Sequence, residues 1–226
     1  NQFNYFLLAS LITVIRGGLD DHLNSSVSLR IFFQILVAII IVTAGGVLIG
    51  SLGSLLGTTD VILNEWAYFI TVLAIISGMN AVNMTDGVHG LAGGNSLITF
   101  LAIAFLSKDL DWHLHTSILI SLLFCSVLPV FLIHNLCLGI AKSKRIFMGD
   151  AGSMFLGFFL GCITVSSSYI TVQSHTFIPV IIPLILLSVP LFDTFSVMVI
   201  RWRNKKPLYV GDKNHFSHRL VKLGMR

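Results

Sequence analysis

The sequence predicts an all-α fold, a polytopic transmembrane helix bundle of about six to seven spans forming one integral-membrane domain over residues 1–226. Three observations predict it. Only 11% of the 226 residues are charged and 55% are hydrophobic, and the mean hydropathy is +0.90, whereas soluble domains carry charge on about a quarter of their residues. Apolar runs of about 20 residues, the length that crosses a hydrocarbon core, recur along the chain. Lys and Arg are confined almost wholly to alternate connections between those runs.

Taken in order, the first run, 3–15, reads as the end of a span. The chain opens on Asn1 inside apolar sequence, with no basic-flanked cleavable signal, so further N-terminal sequence is expected to precede it. Spans are then expected at 31–52, 62–82, 91–107, 114–138, 152–171 and 176–200. Cys125, Cys137 and Cys162 fall within these runs without a CxxC pair, which reads as inert buried thiols.

Alternate threading places 16–30, 83–90, 139–151 and 201–226 on one side and 53–61, 108–113 and 172–175 on the other. The first side holds Arg16, Arg30, Lys142, Lys144, Arg145 and every basic residue from Arg201 to Arg226, leaving Lys108 alone opposite. That side is predicted to be cytoplasmic, with the protein in the inner (plasma) membrane. The isoelectric point near 9.1 then follows from the topology and from contact of the basic 201–226 tail with anionic membrane lipids; no nucleic-acid motif accompanies it.

Ionisable groups near membrane depth are costly unless paired or hydrated, and so mark functional candidates. Four clusters qualify: GGLDDHLN (Gly17–Asn24), NAVNMTDGVHG (Asn80–Gly90), KRIFMGDAGS (Lys144–Ser153) and GDKNHFSHRL (Gly211–Leu220). All four fall on the predicted cytoplasmic side, which points to one shared site. Asp20 and Asp21 lie where the first span leaves the membrane, Asp86 follows the third and Asp150 precedes the sixth. Carboxylates brought together repel unless they share a cation, and Mg²⁺ suits them because it takes oxygen ligands and completes its shell with water and phosphate; Mn²⁺ is an alternative. A structural zinc site fits poorly, since the clusters contain no cysteine.

Glycines 87, 90, 93 and 94 permit close backbone approach to a ligand, and Thr85 or Asp86 is a candidate cap for the next helix, whose first amides would face an anion. For Gly93 and Gly94, helix packing is an equal reading. His215 and His218 are three residues apart and share a face on a helical turn, next to Arg201, Arg203, Lys205 and Lys206. Cations beside carboxylates are what phosphoryl transfer needs.

Together NAVNMTDG, FMGDAGS, the Asp pair and the HxxH motif resemble the polyprenyl-phosphate N-acetylhexosamine-1-phosphate transferases, over most of the chain from Gly17 to Leu220. The resemblance implies transfer of a sugar 1-phosphate from a UDP-N-acetylhexosamine to a polyprenyl phosphate (undecaprenyl phosphate) with release of UMP, initiating cell-envelope polysaccharide synthesis, and a homodimer as partner. It implies catalytic roles for Asp20, Asp21 and Asp86, and metal binding by Asp150 and Asn83. Asn83, His89, Phe147, His215 and His218 would bind substrate, with Phe147 stacking on uracil. The basic stretch, proline and DKNHFSHRL tail resemble the N-acetylglucosamine branch more than the phospho-N-acetylmuramoyl-pentapeptide transferases; a non-catalytic relative is the other alternative. His89 stands where many relatives carry an aspartate, and three readings stay open: a hydrogen bond to a uracil carbonyl, a phosphate-paired imidazolium, or a structural histidine.

The acceptor phosphate has a second pKa near 6 and is mostly a dianion at neutral pH. Direct in-line attack and a covalent aspartyl intermediate are both open at this stage. A transporter would place its charges at the midplane, where only Asp193 is a candidate, and the DGxxAR signature of CDP-alcohol phosphotransferases is absent.

Overall fold

The computed structural model describes residues 2–23, 25–53, 61–106, 113–170, 184–205 and 224. Seven α-helices order these residues: α1 (Gln2–Leu23), α2 (Val27–Thr43), α3 (Trp66–Thr85), α4 (Leu91–Leu106), α5 (His113–Asn135), α6 (Gly149–Ile170) and α7 (Ser188–Arg203). A short 3-10 turn, Lys142–Lys144, precedes α6. Among the described residues there is no β-sheet, only an isolated bridge between Ser51 and Ile62. The fold is the expected all-α bundle. Three helical stretches, Trp66–Thr85, Ser117–Asn135 and Gly149–Ser166, are long and apolar enough to cross a membrane, and Val27–Thr43 and Leu91–Phe105 are shorter apolar helices.

α6 is the central element, packed against α1, α3, α4 and α5. Its tightest contact is with α3, because both helices present glycine at the crossing: a Cβ added to Gly157 would lie 2.6 Å from Met79 Cα, and one on Gly78 would meet the Gly157 carbonyl at 3.3 Å. Lipid is as apolar as a leucine side chain, so such close backbone approach, with its dispersion contacts, is what holds membrane helices together. Two apolar clusters fill the bundle. Ala9, Val37, Ile41, Ile75, Met79 and Phe158 join α1, α2, α3 and α6; Val82, Phe100, Phe124, Leu128 and Leu160 join α3 to α6 on the other side. Phe100 and Phe124 stack with centroids 4.5 Å apart. Leu119, Leu123, Ile98, Phe105 and Phe192 point outward, as expected of lipid-facing surfaces.

Several boundaries differ from expectation, with consequences for the site. The run expected as a span over 31–52 is helical only to Thr43; at Ala44-Gly45-Gly46 the helix stops, since successive glycines lower helix stability. The chain then runs extended and pairs with itself through Leu52 N–H to the Val61 carbonyl and Leu63 N–H to the Gly50 carbonyl. α1 continues through Asp20 and Asp21, α3 through Asn83, and α6 begins at Gly149. Asp20, Asp21, Asn83 and Asp150 are therefore carried on the last turns of α1 and α3 and the first turn of α6, whereas Asp86, His89 and Phe147 lie in the connections that follow α3 and precede α6. The cap expected at Thr85 or Asp86 is not formed: Thr85 Oγ1 donates to the Val82 carbonyl, Asp86 ends α3, and the next helix starts only at Leu91. Cys137, inside the span expected over 114–138, lies beyond the end of α5 at Asn135 and accepts a hydrogen bond from Arg145 Nε at 3.3 Å. Gly93 packs against Leu132 and Phe131, which assigns it to helix packing.

Candidate active site

The C-terminal ends of α1, α3 and α5 and the N-terminal ends of α2, α4 and α6 meet at one end of the bundle. The α1 carboxylates diverge there. Asp21 reaches the start of α6: its Oδ1 accepts from the Asp150 amide at 2.7 Å and its Oδ2 from the Ala151 amide at 3.3 Å. These are amides that a helix leaves without intrahelical partners, and a carboxylate is favoured there by the helix dipole. Gly149 makes the approach possible, since a Cβ at this position would stand 2.7 Å from Asp21 Oδ2 and its φ of +68° suits glycine.

Asp20 turns the other way and is 3% exposed. It pairs with Arg30 of α2, lies 3.7 Å from Arg16 and accepts the Ser25 amide at 3.1 Å. The same Arg30 Nη2 reaches Asp150 Oδ2 at 3.1 Å, so a single guanidinium joins α1, α2 and α6. Asp150 Oδ1 accepts from Asn83 Nδ2 at 2.8 Å, and the same nitrogen donates to Ser153 Oγ at 2.9 Å. Asn83 spends its amide nitrogen on this network, which leaves its carbonyl oxygen as the atom it can offer a cation.

A cavity of about 320 Å³ opens beside this network, lined by Asp21, Asn83, Asp86, Gly87, His89, Asn135, Phe147, Met148, Gly149 and Asp150. Seven of the residues singled out in the sequence thus line one cavity: Asp21, Asn83, Asp86, Gly87, His89, Phe147 and Asp150. Asp20 stands behind it, in the ion-pair network. His215 and His218 lie outside the described residues. Phe147, 69% exposed, offers its ring at the mouth, with the His89 ring centroid 5.1 Å from its own.

The electrostatics differ across the cavity. Burial, together with the charges of Asp150 and Asp21, raises the Asp86 carboxyl to about 7. Partial burial and the neighbouring Arg145 hold His89 below its ordinary value, so its imidazole is neutral at neutral pH. Among the described residues, no group of three His, Cys, Asp or Glu side chains is arranged to hold a metal ion. Mg²⁺ uses one or two protein carboxylates and takes its other ligands from water and phosphate. Asp86, Asp150 and the Asn83 carbonyl are hard oxygen donors, and the crowding that raises Asp86 is what a shared cation relieves.

Two contributors are not singled out by the sequence reading. Arg30 enters it only through the charge topology, although its place four residues before Gln34 on an otherwise apolar helix start carries a signal. Asn135, buried at the end of α5, carries one too, as an isolated amide after a long apolar run.

The profile described as Glycosyl transferase family 4 matches residues 3–168. An Escherichia coli undecaprenyl-phosphate alpha-N-acetylglucosaminyl 1-phosphate transferase is 30% identical over 219 residues, covering 97% of this chain and 58% of that protein. A Bacillus subtilis protein named for the same transfer is 35% identical over 96% of this chain and 58% of its own length. A Yersinia pestis transferase is 30% identical over 99% of this chain and 60% of its own. The chain spans about three-fifths of the length of these relatives. With the profile covering most of the described bundle and its site, the chain belongs to glycosyl transferase family 4.

Proposed function

We propose that the protein transfers N-acetylglucosamine 1-phosphate from UDP-N-acetylglucosamine to undecaprenyl phosphate, releasing UMP, as the initiating step of a cell-envelope polysaccharide. The observation that carries this is the convergence of Asp21, Asn83, Asp86, His89, Phe147 and Asp150 on one cavity, of a size that admits a small polar ligand. The relatives' names support the acceptor and the sugar. The segregation of basic residues supports a cytoplasmic-facing site in the inner membrane.

Asp86, Asp150 and the Asn83 carbonyl would hold Mg²⁺, or Mn²⁺ in its place. When bound, the cation supplies neutralisation of the donor diphosphate and of the departing UMP phosphate. The protein residues then divide the remaining work. Asn83 orients the Asp150 carboxylate through the 2.8 Å bond. Asp21, fixed to the α6 amides, keeps the first turn of α6 in place. Phe147 offers a stacking face to the uracil, with neutral His89 beside it to donate to a base carbonyl. Arg30 holds Asp150 by a charge-assisted hydrogen bond from behind the cavity wall.

Direct attack by the acceptor phosphate, already mostly a dianion, is the route this arrangement favours. Asp20 is engaged by Arg30 and Asp21 by backbone amides, and Asp86 is half-protonated at about pH 7. Asp20 and Asp21 are therefore poor nucleophiles, and Asp86 as a ligand of the cation would have its carboxylate occupied.

The test is UMP release by membranes containing the full-length protein, supplied with undecaprenyl phosphate, Mg²⁺ and one UDP-sugar at a time. Release is expected with UDP-N-acetylglucosamine and only when both substrates are present. Silence with every UDP-N-acetylhexosamine would contradict the proposal, and UMP release without acceptor would favour the covalent route.

A further inference from the structure

Asn135 ends α5 and is 4% exposed. Its side chain ties together two separate segments: Oδ1 accepts from the Gly90 amide at 2.6 Å, and Nδ2 donates to the Ile146 carbonyl at 2.8 Å. Each partner is the chain neighbour of an aromatic wall residue, since Gly90 follows His89 and Ile146 precedes Phe147. The two rings so flanked are in contact, with centroids 5.1 Å apart and planes tilted by 58°. One buried amide thus sits at the base of both halves of the aromatic wall.

The chemistry requires an amide there. A carboxylate accepts but cannot donate to the Ile146 carbonyl, and an aliphatic side chain does neither, leaving two backbone groups short of partners. The turn before α4 is constrained on its other side as well: Gly90 has φ +77°, and a Cβ there would meet Leu136 Cδ2 at 2.6 Å. The position of His89 relative to Phe147 is accordingly set from α5, a helix that supplies neither ring.

We propose that Asn135 is a positioning residue for donor recognition: by tying Gly90 to Ile146, it fixes the spacing of the His89–Phe147 wall against which the nucleotide base binds. The inference rests on the reading of the cavity as a nucleotide-sugar site, and it assigns Asn135 an effect exerted through Phe147 and His89.

A double-mutant cycle in the full-length protein tests it, with UDP-N-acetylglucosamine and undecaprenyl phosphate as the assayed pair. Asn135→Asp is expected to raise the donor KM on the order of tenfold with kcat within about twofold, the size expected for a broken buried hydrogen bond, and to leave the acceptor KM unchanged. In a Phe147→Ala background the same substitution should change the donor KM by less than about twofold, because the wall it positions has been removed. An equal fold-change in both backgrounds, or a loss in kcat at unchanged donor KM, overturns the proposal. If Asn135→Asp does not accumulate as folded protein, Asn135→Ala is assayed in the same cycle, with calorimetric titration of UMP as a readout independent of turnover. A wild-type protein silent with every UDP-N-acetylhexosamine would instead bring down the functional reading itself, whereas an active wild type with additive variants brings down only the role of Asn135.

Discussion

Arg30 Nη2 stands 3.1 Å from Asp150 Oδ2 across 120 residues of sequence, while the same nitrogen pairs with the buried Asp20. Replacing Arg30 by Met leaves Asp20 desolvated without its main counter-charge, and breaking such a pair costs on the order of 3 kcal/mol. Arg30→Met is therefore expected to lower the thermal midpoint and to reduce kcat at least about a hundredfold. Arg30→Lys should recover stability better than turnover, because an ammonium restores the counter-charge without the reach and fixed planar geometry that bring one guanidinium nitrogen to both carboxylates. Melting curves and kcat for both variants check this; equal recovery of the two would contradict it.

Asp86 gives a pH prediction. Its carboxyl is raised from the ordinary 3.8 to about 7, so between those values the folded protein binds more protons than the unfolded chain. Stability linked to this group is therefore full below about pH 4 and is lost as the pH rises to about 7, beyond which it is flat. A cation binds the ionised form, so Mg²⁺ affinity should climb up to about pH 7 and then level off, with proton release on binding below that pH. Calorimetric Mg²⁺ titrations at several pH values measure both. Asp86→Asn should flatten the affinity profile.

The His89 imidazole, held below its ordinary pKa by burial and by Arg145, is neutral through the physiological range. His89→Asp introduces a negative charge next to Phe147 and near Arg145. It is expected to shift the KM for the UDP-sugar severalfold, with little change in the Mg²⁺ concentration for half-maximal rate. An unchanged donor KM would place His89 outside nucleotide recognition.

Gly157→Ala probes the α3–α6 crossing. Its new methyl would fall 2.6 Å from Met79 Cα and 2.8 Å from the Gly78 carbonyl, so the helices must separate. A loss of about 1–3 kcal/mol is expected from overpacking, seen as a lower midpoint in detergent. Gly94→Ala, with open space at its Cβ, serves as the control and should be near neutral.

What the sequence discloses follows from cost. A carboxylate in an apolar chain is expensive, so Asp21, Asp86 and Asp150 stand out in the sequence alone, as do the asparagines around them. Helix ends are harder to place because apolar composition by itself does not distinguish a helix from the extended stretch after Gly46. That ambiguity also hides the fact that Asn83 and Asp150 sit inside helices, in the last turn of α3 and the first turn of α6. Arg30 and Asn135 are obscured for another reason. Their roles exist only through partners distant in sequence, 120 residues away for Arg30 with Asp150 and 45 for Asn135 with Gly90, and no local spacing encodes such a pairing. The division of labour between Asp20 and Asp21 is equally hidden, since adjacent residues on a helix point about 100° apart.

The central claim is that Asp150 anchors one site for cation and donor, and the transfer of radiolabelled N-acetylglucosamine 1-phosphate to undecaprenyl phosphate tests it most directly. Wild-type full-length protein and Asp150→Asn, matched for melting temperature, are compared at saturating Mg²⁺. Labelled lipid is expected from the wild type, and at most about a thousandth of that rate from Asp150→Asn. Labelled lipid at the wild-type rate from Asp150→Asn would contradict the claim.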